Sequence, residues 1–107
     1  MRKLDLSPHL VMVRKPDGET AEIPYEFRGS LATILFLPEL GLSAREVLQR
    51  QLLAAKIENC QDYSILLEES DYAKLLAALD AAKGFNRNDA EFIRRVIEAP
   101  EVQVQEK

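Results

Sequence analysis

The chain has 107 residues, 47% hydrophobic and 30% charged, which suits one compact domain with its own core and excludes two ordinary domains. Eighteen acidic residues against fourteen basic ones leave a formal charge of -4, so a phosphate backbone is repelled unless the basic side chains gather on one face. With one histidine (His9), one cysteine (Cys60), no tryptophan and four glycines, the chain has no clustered His or Cys ligands and no glycine-cradled loop, which argues against motif-bearing enzymes.

Leu10-Val11-Met12-Val13 is β-prone, and Lys15-Pro16-Asp17-Gly18 presets a tight turn after it. From Thr20 to Phe27, Ala21, Ile23, Tyr25 and Phe27 alternate with polar residues or proline, the pattern of a half-buried strand. The two runs predict a β-hairpin. Pro24 has no amide proton, so this strand is expected at a sheet edge or with its proline on the unpaired side. The densely apolar run Leu31 to Leu37 predicts a short buried helix capped by Ser30, with a core strand as the alternative.

Ser43-Ala44-Arg45-Glu46 has the form of a capping box and predicts a helix of about four turns. In it Ala44, Val47, Leu48, Leu52 and Ala55 share one stripe, while Leu53 and Ile57 project to the opposite side. Either both faces are buried in one domain, or Leu53 and Ile57 meet a partner. Tyr63 to Leu67 reads as a short strand, and the next helix is expected to start at Ser70, run through Tyr72, Leu75, Leu76, Leu79 and Ala82, and close at Gly84. Asn88 with Glu91 predicts the start of a last helix through Phe92, Ile93, Val96 and Ile97, ended by Pro100 and paired with its predecessor as an αα-hairpin. In the tail 101–107, Val102 and Val104 alternate with glutamine, which suits either an added edge strand or a frayed end.

Among the charged groups, Asp62, Glu68, Glu69 and Asp71 lack the spacing of a calcium loop, and a helix N-terminus accounts for three of them. Arg87, Arg94 and Arg95, with Lys83, offer a local basic patch, although Arg94 and Arg95 point about 100° apart on a helix. Cys60 has no neighbouring His and no second Cys, so it reads as a packing residue and is consistent with a reducing compartment. His9 reads as a turn or surface histidine. No phosphate-loop, dinucleotide, nucleophile-elbow or zinc-protease motif occurs, and no cofactor is expected. The apolar run at Leu10 is too short for a signal-peptide core and Leu31 to Pro38 is far below the roughly 20 residues of a membrane span, so a cytoplasmic protein without membrane association is expected.

In the order of its parts the chain resembles small proteins of tailed-phage and prophage genomes. The likeness rests on Lys3-Leu4-Asp5-Leu6, the Pro16-Asp17-Gly18 turn, Ala44-Arg45-Glu46-Val47-Leu48, the phrase Ile65-Leu66-Leu67-Glu68-Glu69-Ser70-Asp71-Tyr72, and the closing Phe92-Ile93-Arg94-Arg95-Val96-Ile97-Glu98-Ala99. It implies a non-enzymatic role in virion structure, assembly or contact with a host protein.

The sequence therefore predicts a single α+β domain over 1–100, a small antiparallel sheet against three to four helices, that acts through protein–protein contact. The candidate contact residues are Ile23 and Tyr25 on the hairpin edge, Leu53 and Ile57 on the second helix face, and Val102 and Val104 in the tail, with a second copy of the chain as first partner. The alternative is a nucleic-acid-associated regulator using Arg87, Arg94 and Arg95. A third class is an enzyme subunit whose site a partner completes.

Overall fold

The computed structural model describes residues 1–103. Strands β1 (Arg2–Asp5), β2 (Leu10–Arg14) and β3 (Thr20–Pro24) are followed by helices α1 (Phe27–Leu35) and α2 (Ala44–Glu58), strand β4 (Ser64–Leu67), and helices α3 (Glu69–Ala81) and α4 (Ala90–Ile97). The architecture is α+β, and α3 with α4 forms the closing helix pair.

Instead of one small sheet there are two antiparallel pairs, β1 with β4 and β2 with β3. β1 went unanticipated, yet Leu4 and Leu6 alternate with charged or polar neighbours and both are buried. Leu4 lies opposite Ile65, and Arg2 opposite Leu67, so one face of this pair enters the core. The outer edge of β1 takes up the start of the tail: Lys3 N–H donates to the Pro100 carbonyl and Val102 N–H to that of Met1.

The hairpin forms as expected, with Val11 opposite Ile23 and Gly18 at φ 89° in the turn, a conformation glycine adopts without a side-chain clash. Lys15 N–H donates to Glu19 O at one end and Tyr25 N–H to His9 O at the other. Antiparallel alternation then directs the backbone N–H and C=O groups of Glu19, Ala21, Ile23 and Tyr25 toward β2, so the ring nitrogen of Pro24 lies on the open edge, where no amide is missed.

α1 starts three residues earlier than the expected Ser30 cap. Taking in Phe27 extends its buried stripe to Phe27, Leu31, Ile34 and Leu35, one more turn of core contact than a start at Ser30 would bring. α2 starts at the Ser43 box as expected. α3 is entered from Glu68, with Ser70 already inside the helix. The box expected at Asn88 lies two residues earlier: Asn86 Oδ1 accepts from Asn88 N–H and Asp89 Oδ2 accepts from Asn86 N–H, around a 3₁₀ turn that leads into α4.

The core joins Leu4 and Leu6, the α1 stripe, Leu53, Ala54 and Ile57 of α2, Ile65 and Leu67, Tyr72, Leu75, Ala78 and Leu79 of α3, and Phe92 and Val96 of α4. Tyr72 O–H donates to the Val96 carbonyl at 2.6 Å, tying α3 to the end of α4. The α-carbon radius of gyration, 15.2 Å, exceeds the roughly 13 Å of a compact domain of this length. The hairpin and the first half of α2, where residues 44–49 are all exposed, stand away from the core. No helix among the described residues is long and apolar enough to cross a membrane.

Candidate functional site

α2 carries apolar residues on two sides, and the structure buries the side with fewer of them. Leu53 is 2% exposed and Ile57 fully buried, whereas Leu48 is 63%, Leu52 65% and Val47 43% exposed. Leu53 and Ile57 are therefore core residues, and the face left for a partner is the stripe through Leu48 and Leu52. The cause lies at the C-terminal end of the helix. The Arg28 guanidinium, from α1, donates to the carbonyls of Ile57, Cys60 and Asp62, capping α2 with a cation and fixing its rotation against α1. That rotation also buries Arg50, one turn before Leu53, and its Nη1 has no hydrogen-bond partner among the described residues.

In heptad terms, Arg45, Leu48, Leu52 and Ala55 occupy successive a and d positions, and the buried set Arg50, Leu53, Ala54 and Ile57 falls at f, b, c and f. The two stripes are on opposite sides of one helix. The exposed stripe is bordered by uncharged Gln49 and Gln51. Beside it, a shallow concavity of about 330 Å³ is lined by Gln49, Leu52, Leu53, Lys56 and, from α3, Asp71 and Lys74. The projecting N-terminus is held by the capping box, Ser43 Oγ accepting from Glu46 N–H while the Glu46 carboxylate accepts from Ser43 N–H, both at 3.3 Å. The Ser43 hydroxyl, and then its N–H, lower the Glu46 pKa by hydrogen bonding to the carboxylate.

The other predicted contact residues are dispersed. Ile23 is exposed on β3, opposite Val11, whereas Leu10 and Met12 are exposed on the other face of the hairpin. Tyr25 is not on the strand: it lies in the turn before α1, stacked on His9 at 5.0 Å, and its hydroxyl donates to Asp89 Oδ1 at 2.5 Å. Burial and that carboxylate push its pKa up to about 12. Val102 is half-buried on the β1 edge, and Val104 lies outside the described residues.

The three arginines do not share an open face. Arg95 is buried, its guanidinium 3.2 Å from Glu91 and 3.8 Å from Asp5, donating to the Ser7 carbonyl and lying over the Phe27 ring. Arg94 pairs with Glu91 and Glu98. Arg94, then Arg95, hold the Glu91 pKa down to about 2. Arg87 alone of the three is exposed outside these pairs. Among the acidic residues, Glu69 pairs with Arg2 and Asp71 with Lys74.

His9 is half-buried against Tyr25 and Phe27, both ring nitrogens without hydrogen-bond partners among the described residues. Desolvation, helped by Arg95, lowers its pKa. The Cys60 thiol is half-buried and lies 3.5 Å from the Ser64 carbonyl.

Sequence reasoning missed Arg28, Arg50 and the exposure of Leu48 and Leu52. No local signal points to that exposure: Arg50 precedes Leu53 by three residues and Ile57 by seven, so the stripe with fewer apolar residues also carries a charge, and both features argue against its burial. Compared with known proteins, the chain matches no family model, no curated protein and no solved structure.

Proposed function

We propose that the protein is a non-enzymatic interaction or assembly factor that docks through the outer face of α2. One observation carries this reading: Leu48 and Leu52, each about two-thirds exposed, form an apolar stripe on a helix already anchored to the core by its opposite side. Fold stability does not require those leucines, since the core contacts of α2 are made by Leu53, Ala54 and Ile57. Exposed apolar side chains in a row, on an element that stands out from the body, are what protein interfaces bury. The resemblance to tailed-phage proteins supports a setting in virion structure, assembly or host contact. A cytoplasmic site of action accords with the single cysteine.

The test compares the wild-type protein with Leu48→Glu for association of either kind, self-association in light scattering and capture of protein from a lysate of the producing cells, at low and high salt. Association that survives salt and is lost in Leu48→Glu is expected, because apolar burial is insensitive to ionic screening. Association that fades steeply with salt and ignores Leu48 would favour the nucleic-acid alternative instead. No Leu48-dependent association of either kind would remove the reading.

A further inference from the structure

We infer that the outer face of α2 pairs with the same face of a second copy, antiparallel, about a two-fold axis at the level of Arg50. This rests on the docking reading above and names its partner.

The register follows from the heptad positions. An antiparallel pair places a residues of one helix against d residues of the other. If Leu48 meets Leu52 of the second copy, the same register places Arg45 beside Ala55 and brings every a and d residue of the stripe into a layer. The pairing is closed and isologous, so each contact occurs twice. Core burial does not interfere, because Arg50, Leu53, Ala54 and Ile57 all lie on the opposite side of the helix.

Charge separates a second copy from a generic partner. At a two-fold axis the side chains nearest the axis meet their own copies, where a lysine or glutamate would face a like charge. The residues of α2 nearest that level on the exposed face are Leu48, Gln49, Gln51 and Leu52, none of them charged, and the charged residues beside them on α3, Asp71 and Lys74, pair with each other. A glutamine amide both donates and accepts, so it is complementary to itself. The charged residues fall at the ends, where Arg45 and Glu46 of one helix lie within about one turn of Lys56 and Glu58 of the other, two of each sign. The opposed helix dipoles add a favourable term of the same kind.

The overlap spans about four turns on each side, below the area of a standard stable interface, so a dimer in exchange with monomer is expected. In light scattering coupled to size exclusion, the mass should rise from 12.1 kDa toward twice that value over about 0.01 to 1 mM protein, at both low and high salt. Leu52→Glu should hold the mass at the monomer value with a melting temperature lowered by no more than about 5 °C. Orientation is read separately in a Cys60→Ser background. Gln51→Cys lies beside its own copy and should be joined by a short bismaleimide. Ala44→Cys copies lie about 18 Å apart along the axis, twelve residues at 1.5 Å each, and should not be joined.

A wild-type mass that stays at the monomer value at 1 mM overturns the second-copy inference, and capture of another protein that Leu48→Glu abolishes would still uphold the docking reading. Cross-linking at Ala44 as well as Gln51 overturns the antiparallel register. A dimer that persists in Leu52→Glu, or a Leu52→Glu monomer that unfolds, overturns the assignment of this face.

Discussion

Truncating the two sides of α2 should have very unequal effects, although the residues compared are five apart on one helix. Ile57→Ala removes side-chain carbons from a fully buried position. The lost transfer term is about 2.4 kcal/mol at roughly 0.8 per methylene, the cavity left among core neighbours adds about 1, and the better helix propensity of alanine returns about 0.4. The net cost is about 3 kcal/mol. Leu52→Ala removes as many carbons, but Leu52 is 65% exposed, so only about a third of the transfer term applies and no cavity forms. With alanine's propensity gain of about 0.2 subtracted, that cost is about 0.6 kcal/mol. Urea unfolding followed by far-ultraviolet circular dichroism, at micromolar protein where any self-association is absent, reads both values from midpoints at constant m. Equal costs, or a larger cost for Leu52→Ala, would mean that α2 is rotated by half a turn and that the Leu48 and Leu52 stripe is the core face.

Ser43→Ala removes the acceptor for Glu46 N–H and should cost about 1 kcal/mol, read as a lower urea midpoint; an unchanged midpoint would show the box to be idle. Arg95→Gln should cost about 2 kcal/mol, because it breaks a buried group bonded to Glu91 and the Ser7 carbonyl, whereas Arg87→Ala should stay within about 0.5 in the same titration. His9 binds its proton less readily in the folded state than in the unfolded chain, where the reference pKa is 6.5. Its contribution to stability is therefore complete above that value and is lost as pH falls through the lowered folded pKa, with Arg95 opposing the proton and Glu91 and Asp5 partly favouring it. His9 is the single histidine, so melting temperatures at about pH 7.5 and 5.5 should show a decline that His9→Phe abolishes; an identical decline in the variant would place its origin elsewhere.

Local signals carried most of the elements. The Pro16-Asp17-Gly18 turn between two alternating runs set the β2–β3 hairpin, the Ser43 box set the first residue of α2, and the spacing of Tyr72, Leu75 and Leu79 set the buried face of α3. Each of these is decided within about four residues by hydrogen bonding or periodicity, and so is written in the sequence. Helix starts at Phe27 and Glu69 were harder, because neither has a side-chain cap and each is placed by what the helix buries.

The candidate site belonged to the other category. Counting apolar residues along α2 ranks the Leu48 and Leu52 stripe above the Leu53 and Ile57 stripe, and on that count it would be the core face. The side that faces inward is chosen by contacts distant in sequence: Arg28 gripping the carbonyls at the end of α2, and α1 packing along its flank. Likewise the arginines of α4 become structural only when β1 and the turn after it bring Asp5 and the Ser7 carbonyl to Arg95. The sequence by itself determined most of the helices and strands, though not β1 and not whether the Leu31 to Leu37 run is helix or strand, and that α2 has two apolar sides. Only the tertiary structure decided which side remained outside, because a helix is free to turn about its axis until other segments hold it.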